Sequence, residues 1–214
     1  MITRRASNVW LLAAGMVTAL LAGCAAAPPK AERYVAPPPG SSWTYATRNS
    51  GSYGSGDTRL TVRLAEATWD GRKVHSLQTT LQHQLQDENA ALIAVTTPAG
   101  QVLVRYDPPI GYRFPLEVGK TWRQDHVATT VVNGQKYAFT STWTVEAVED
   151  VTVPAGTFRA WRIGYADTTG ETQTIWSVPD QLGVFARRIF HRSAPHPQGA
   201  GTREMELLTV PAAN

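Results

Sequence analysis

Between Trp43 and Val210 apolar residues recur at every second position in short runs, and Gly, Pro, Asn and Asp separate the runs. A period of two sends alternate side chains to opposite faces, the pattern of half-buried strands. The turn residues allow the pairing to be read. Asp70-Gly71 and Asn133-Gly134 are favoured dipeptides for two-residue type I′ loops, in which both central residues need positive φ. With Asp70-Gly71 as loop, Leu64 faces Leu77, Val62 faces Thr79 and Leu60 faces Leu81, an apolar set that a one-residue slip would scatter. With Asn133-Gly134 as loop, Thr130 faces Tyr137, Ala128 faces Phe139, Gln124 faces Trp143 and Trp122 faces Val145. Thr169-Gly170 likewise sets Ile163 against Trp176 and Trp161 against Val178. Val153-Pro154-Ala155-Gly156 predicts a further reversal, because proline cannot donate to a central ladder and glycine supplies an unusual φ.

No segment of the mature chain reads convincingly as helix. Residues Gln78 to Ala94 are best taken as two strands about Asp87-Glu88-Asn89, with a short helix over Leu81 to Ala91 as the alternative. The expected fold is therefore all-β: one domain over residues 43–210, followed by a tail over 211–214. Its antiparallel strands form a strongly curved sheet or open barrel, with a β-sandwich as the alternative. Gly40-Ser41-Ser42-Trp43 resembles Gly119-Lys120-Thr121-Trp122, and Tyr106-Asp107-Pro108 resembles Trp176-Ser177-Val178-Pro179. These echoes fit either an internal duplication or the composition common to strand ends.

The N-terminus follows different rules. Arg4 and Arg5 precede an uncharged apolar run from Val9 to Leu21, and Leu21-Ala22-Gly23-Cys24 closes it, the order of a secretory signal with a lipobox. About 13 apolar residues are too few to span a bilayer, which takes about 20. Residues 1–23 are thus predicted to be a signal peptide and Cys24, the chain's only cysteine, the acylated first residue of the mature protein. By resemblance to lipoproteins of enteric bacteria, Ala25 in place of aspartate implies sorting to the outer membrane, facing the periplasm. Residues 24–42, rich in proline, read as a disordered tether.

Removing the signal changes the charge. The chain carries 20 Lys+Arg against 17 Asp+Glu, and loss of Arg4 and Arg5 brings the balance close to neutral. No block of like charge remains, so nothing suggests a nucleic-acid partner. With Cys24 alkylated there is no thiol for a disulfide, a nucleophile or a metal.

Catalytic signals are sparse. Gly-x-Ser-x-Gly and Ser-x-x-Lys are both missing. His75, His83, His126, His191 and His196 lack metal-ligand spacing, so neither metal nor cofactor is expected; His191 and His196 lie in an exposed, proline-flanked stretch. Glu66 falls opposite His75, a pair that fits a surface contact better than a general base. Asp107, Glu117, Glu146 and Glu171 are the carboxylates that could converge in a hydrolase. Of the tryptophans, Trp122, Trp161 and Trp176 read as core, whereas Trp69 beside its turn and Trp143 opposite Gln124 read as surface contacts for a ligand or partner.

The segments from Pro115 to Trp122, from Val153 to Phe158 and from Trp176 through Pro179 to Gly183 resemble a family of uncharacterised β-rich bacterial lipoproteins and secreted proteins. The resemblance covers residues 110–192. It implies an antiparallel, strongly curved sheet, with an open barrel like that of periplasmic lipoprotein carriers as one form, although those carriers hold a plugging helix that this chain lacks. It supplies no catalytic residue. The expected function is a noncatalytic binding or envelope-assembly module that touches an envelope protein, lipid or glycan and is held to the membrane through acyl chains on Cys24. The alternative is a cell-envelope hydrolase.

Overall fold

The computed structural model describes residues 29–213. The first half of the chain gives β1 (Lys30–Ala31), β2 (Ser41–Gly51), β3 (Gly56–Trp69), β4 (Arg72–Gln78), β5 (His83–Gln86), β6 (Leu92–Thr96) and β7 (Val102–Ile110). The second gives β8 (Leu116–Glu117), β9 (Thr121–Thr130), β10 (Lys136–Val153), β11 (Gly156–Asp167), β12 (Glu171–Val178), β13 (Val184–Arg192) and β14 (Gly201–Ala213). Strands β2 to β7 form one antiparallel meander and β9 to β14 a second. Pairing of β14 with β2 and of β7 with β9 closes the two into a barrel. Closure removes the sheet edges that an open barrel or sandwich would expose. The short strands β1 and β8 pair with each other outside the ring.

The two halves match locally. Gly40 N–H donates to Leu64 O and Gly119 N–H to Val145 O, both at 2.8 Å, and the two glycines have φ of 89° and 90°. Trp43 then pairs with Val62, and Trp122 with Trp143, each partner lying two residues before the bonded carbonyl. The first sequence echo is thus a repeated strand start. The second is not: Tyr106 belongs to the last strand of its meander, whereas Trp176 belongs to an inner strand of the other.

Turn chemistry decided which registers could be read. Asp70 (φ 48°) and Gly71 (φ 75°) form the anticipated loop, and Leu64 pairs with Leu77. The ladder stops at Gln78, however, so Val62 and Leu60 pair with Trp43 and Tyr45 of β2, and Leu81 is exposed. Across Asn133-Gly134 the register shifts by two: Ala128 pairs with Tyr137 and Trp122 with Trp143. Thr130 N–H bonds Gln135 O, closing a longer loop in which Asn133 Oδ1 accepts from Gln135 N–H and Thr130 Oγ1. A shift of two keeps every side chain on its face. Across Thr169-Gly170 the shift is one. Asp167 Oδ1 takes the N–H groups of Thr169 and Glu171, making a three-residue loop, so Ile163 pairs with Ile175 and Trp161 with Ser177. Trp176 consequently lies on the opposite face from Trp161 and Ile163. Its indole N–H donates to Glu149 Oε1 at 2.8 Å, and it is only partly buried. Pro154-Ala155 turns β10 into β11 as expected, and Ala155 N–H ties the hairpin tip to Leu207 O.

From Pro29 onward, the stretch expected to hang free as tether packs along the barrel. Ala31 is buried, Tyr34 Oη donates to Gly183 O at 2.9 Å, Val35 N–H to Pro179 O at 2.8 Å, and Pro37 is buried. Backbone pairing and apolar burial hold this strap although its composition reads as linker. At the ends of the domain, β2 begins at Ser41 and β14 continues through Ala213, so both reach beyond the expected 43–210 limits. The signal peptide, Cys24 and Ala25 lie outside the described residues. Among the described residues there is no helix, and His83–Gln86 is strand where a helix was the alternative.

Direct cross-strand partners share a face. Following pairs around the barrel gives one inward row: Trp122, Trp143, Tyr165, Gln173, Phe190, Arg203 and Asn49. The neighbouring row is Val145, Ile163, Ile175, Arg188, Met205 and Thr47. Aromatic and aliphatic residues fill the β9 to β12 side, with Trp143, Val145, Ile163 and Ile175 buried. A second cluster around Trp43, Tyr45, Leu64 and Leu207 fills the β14 to β3 side. Eight strands leave an interior that side chains just fill, and twelve enclose more. Part of the inward surface, including Gln173, Arg188, Phe190 and Arg203, stays half-buried.

Candidate functional site

The chain alternation of Arg188, Phe190 and Arg192 along β13 puts all three on the inward face. Phe190 pairs with Arg203 of β14 and Arg192 with Gly201, so Arg188 and Arg192 flank the Phe190–Arg203 pair diagonally. Both β2 and β9 begin at the end of the barrel where β1 and β8 pair. The turns over 52–55, 131–135, 168–170 and 193–200 therefore gather at the opposite end, which we call the mouth. Tyr53 reaches over this end from the β2–β3 turn.

The mouth is a lattice of guanidinium groups on aromatic faces. Arg192 Cζ lies 3.9 Å and Arg203 Cζ 4.8 Å from the centre of the Tyr53 ring. Arg188 Cζ lies 4.4 Å from that of Phe190. Arg192 Nε donates to Glu171 Oε2 at 3.0 Å, as does Tyr53 Oη, and Gln173 Nε2 donates to Glu171 Oε1. Arg188 instead donates from Nε and Nη2 to the amide oxygen Gln173 Oε1, and Arg203 Nε to Asn49 Oδ1 at 2.7 Å. Neither Arg188 nor Arg203 forms an ion pair among the described residues. Burial, followed by the Glu171 charge, raises the pKa of the Tyr53 phenol, and burial lowers that of the Arg203 guanidinium. Asp167, the second inward carboxylate here, accepts from Tyr165 Oη at 2.7 Å.

Sequence reading missed this cluster. Its signal was the period-two run of Arg188, Phe190 and Arg192, which becomes informative once β13 is known to lie inside a barrel.

Of the residues picked from sequence, Glu171 lies in this cluster and the others are placed elsewhere. Trp143 is buried, not a surface contact: it stacks on Trp122 at 5.7 Å between ring centres and meets Tyr165 edge-on at 4.7 Å. Trp69 is half-buried against Val74, Leu85 and Ala94, with Arg105 Cζ 5.6 Å from its ring centre. Trp122 and Trp161 are core, as expected. Of the carboxylates, Glu117 pairs with Lys30, Glu146 with Arg162 and Glu171 with Arg192. Asp107 lines an outer cleft of about 360 Å³ with Asp125, His126 and Phe139. Glu66 does pair with His75, beside a 270 Å³ hollow under Pro37, Pro38 and Pro39. Burial lowers the pKa of the His75 imidazole. His191 is exposed and His196 lies in the loop over 193–200. No group of His, Asp and Glu suited to a metal occurs among the described residues.

A buried relay lies beneath the outer cleft. His126 Nδ1 and Pro108 O are 2.8 Å apart, so Nδ1 must donate; Nε2 then accepts from Ser141 Oγ at 2.8 Å, and Ser141 accepts from Trp143 Nε1 at 3.2 Å. Each polar atom in the chain has its partner. Ser141 is fully buried, and so the Ser–His contact reads as a structural clamp on Trp143.

No protein-family model matches the chain, and no curated protein matches it. Among solved structures, a protein assigned as exported, with a YmcC-like fold, from Bacteroides fragilis aligns at 11% identity and a TM-score of 0.47, over 84% of this chain and 99% of its own. The hypothetical lipoprotein YmcC from Escherichia coli aligns at 16% identity and 0.39, covering 80% of this chain and 88% of its own. A protein assigned as a lipoprotein from Parabacteroides distasonis aligns at 9% and 0.42, covering 84% and 99%.

Proposed function

We propose that this protein is a noncatalytic binding module of the bacterial cell envelope, anchored through acyl chains on Cys24, and that its ligand contacts lie at the barrel mouth. The observation that carries the binding reading is the half-buried set of Arg188, Phe190 and Arg203 on the inward face, where polar and aromatic groups converge at one end of the barrel. Trp143 is spent on packing, whereas Trp69 keeps part of its ring exposed beside Arg105. The hydrolase reading needs two carboxylates facing one cleft: Asp107 and Asp125 do line one, but Asp125 accepts from Thr140 Oγ1 at 2.6 Å, and Glu117, Glu146 and Glu171 are each held by a different cation.

The anchor rests on the lipobox, and Ala25, by resemblance to lipoproteins of enteric bacteria, favours the outer membrane facing the periplasm. Two or three acyl chains hold a protein stably, so the domain needs no membrane-binding surface of its own. Metabolic labelling with a fatty acid tests this. Wild type should take up label and fractionate with membranes, while Cys24→Ser should do neither yet remain folded. Equal labelling of the two proteins would overturn the anchor.

A further inference from the structure

We propose that the barrel mouth binds an oxyanion, the carboxylate or phosphate group of a water-soluble ligand, between Arg188 and Arg203. This deepens the binding reading above and rests on it.

Taking a guanidinium out of water is costly unless a counter-charge or full hydrogen bonding compensates. Arg192 has its carboxylate in Glu171. Arg188 and Arg203 have only the neutral amide oxygens of Gln173 and Asn49. A guanidinium offers five N–H donors. Arg203 uses Nε alone, and Arg188 uses Nε and Nη2 on one oxygen, so most of both forks is unspent. The carboxylates nearby are committed: Glu171 to Arg192, Tyr53 and Gln173, and Asp167 to Tyr165 and to the N–H groups of Thr169 and Glu171. Three inward guanidinium groups therefore face two carboxylates, and the excess lies on the pair without an ion partner. Burial also lowers the Arg203 pKa, as expected for a cation lacking full compensation.

Geometry fits the assignment. Arg188 pairs with Met205, so Arg203 is its diagonal neighbour across β13 and β14, a spacing of about 7–8 Å between Cα atoms. Two long side chains at that separation can converge on one anion. Phe190 against Arg188 and Tyr53 against Arg203 hold the guanidinium groups before any ligand arrives, which lowers the ordering cost of binding. A sugar alone would use the aromatic faces and leave both forks unfilled. An oxyanion accepts from two forks at once, the bidentate arrangement for which arginine is suited.

The strap fixes the side of access. Only residues 25–29 separate Cys24 from β1, at most about 20 Å of extended chain, and β1 is paired to β8 at the end opposite the mouth. An acyl anchor on Cys24 therefore holds the β1–β8 end at the bilayer and leaves the mouth to the aqueous side.

Soluble Cys24→Ser protein titrated separately with sodium phosphate and sodium succinate, at ionic strength held constant with sodium chloride, tests the proposal through the Nε–Hε resonances of Arg188 and Arg203. Saturable shifts of both are expected with at least one anion; the anion binding about tenfold tighter assigns the ligand group as phosphate or carboxylate. The Arg188→Gln, Arg203→Gln double variant should bind at least tenfold more weakly. Arg188→Lys with Arg203→Lys, which keeps charge and loses the fork, guards against a folding artefact and should also lose affinity. Chloride-like, unsaturable shifts with both anions, or unchanged affinity in the Gln variant, would overturn it. A neutral molecule retained in the mouth with no response to either anion would overturn the oxyanion and leave the binding reading standing.

Discussion

Trp143→Ala is expected to cost about 3–5 kcal/mol of folding stability, the range for truncating a fully packed aromatic residue. Trp143 joins three aromatic contacts, stacked on Trp122 and edge-on to Tyr112 and Tyr165, and it donates its indole N–H to Ser141. The loss combines apolar transfer, a cavity between β9 and β11, and a broken link in the chain from Trp143 through Ser141 and His126 to Pro108 O. Trp143→Phe keeps most of the packing and removes the N–H, so it should cost less. Trp69→Ala, where the ring is half-exposed under Arg105, should also cost less. Urea denaturation of the three variants gives the order. A Trp143→Ala loss within about 0.5 kcal/mol, the scale of an ordinary surface change, would contradict the inward placement of this tryptophan.

Gly183→Ala is expected to be the second large effect, and to act through the strap. Gly183 has φ of 65°, a region that costs other residues about 1–2 kcal/mol. A Cβ there would also collide with Val35 O and stand 2.6 Å from Pro37 Cδ. Strap and loop must separate, breaking the bonds from Val35 to Pro179 O and from Tyr34 to Gly183 O. Gly134→Ala is the matched control: φ is 67°, yet the space around the new Cβ is empty. The Gly183 variant should lose more stability than the Gly134 variant, and trypsin should cut it faster at Arg33. Equal stability and equal cleavage would mean that the strap does not hold the β12–β13 loop.

How far the fold could be read depended on what each turn did with its side chains. At Asp70-Gly71 the Asp70 carboxylate reaches out to Arg105 and not back onto its own loop, and the register was legible to the residue as far as the ladder runs, to Gln78. Asn133 folds its side-chain oxygen onto Gln135 N–H and lengthens the loop, so partners slipped by two while faces held. Asp167 caps the loop before Gly170, and the resulting single-residue slip turned Trp176 outward. Local hydrogen bonding of this kind leaves little trace in an alternation pattern. The strap was illegible for another reason: its prolines have linker composition, and only the pairing of Ala31 with Leu116 and the cover over Pro37 reveal packing. All-β class and antiparallel order were legible. The mouth was not, because Asn49, Tyr53, Glu171 and Arg203 meet only after β14 pairs with β2, bringing together residues more than 150 positions apart.

Native mass spectrometry of the Cys24→Ser protein purified from the periplasm tests the central claim most directly. The account predicts that wild-type mouth residues retain an anionic molecule, and that Arg188→Gln with Arg203→Gln releases it while the barrel stays folded. The same molecule bound equally to both proteins would place the ligand elsewhere and contradict the account.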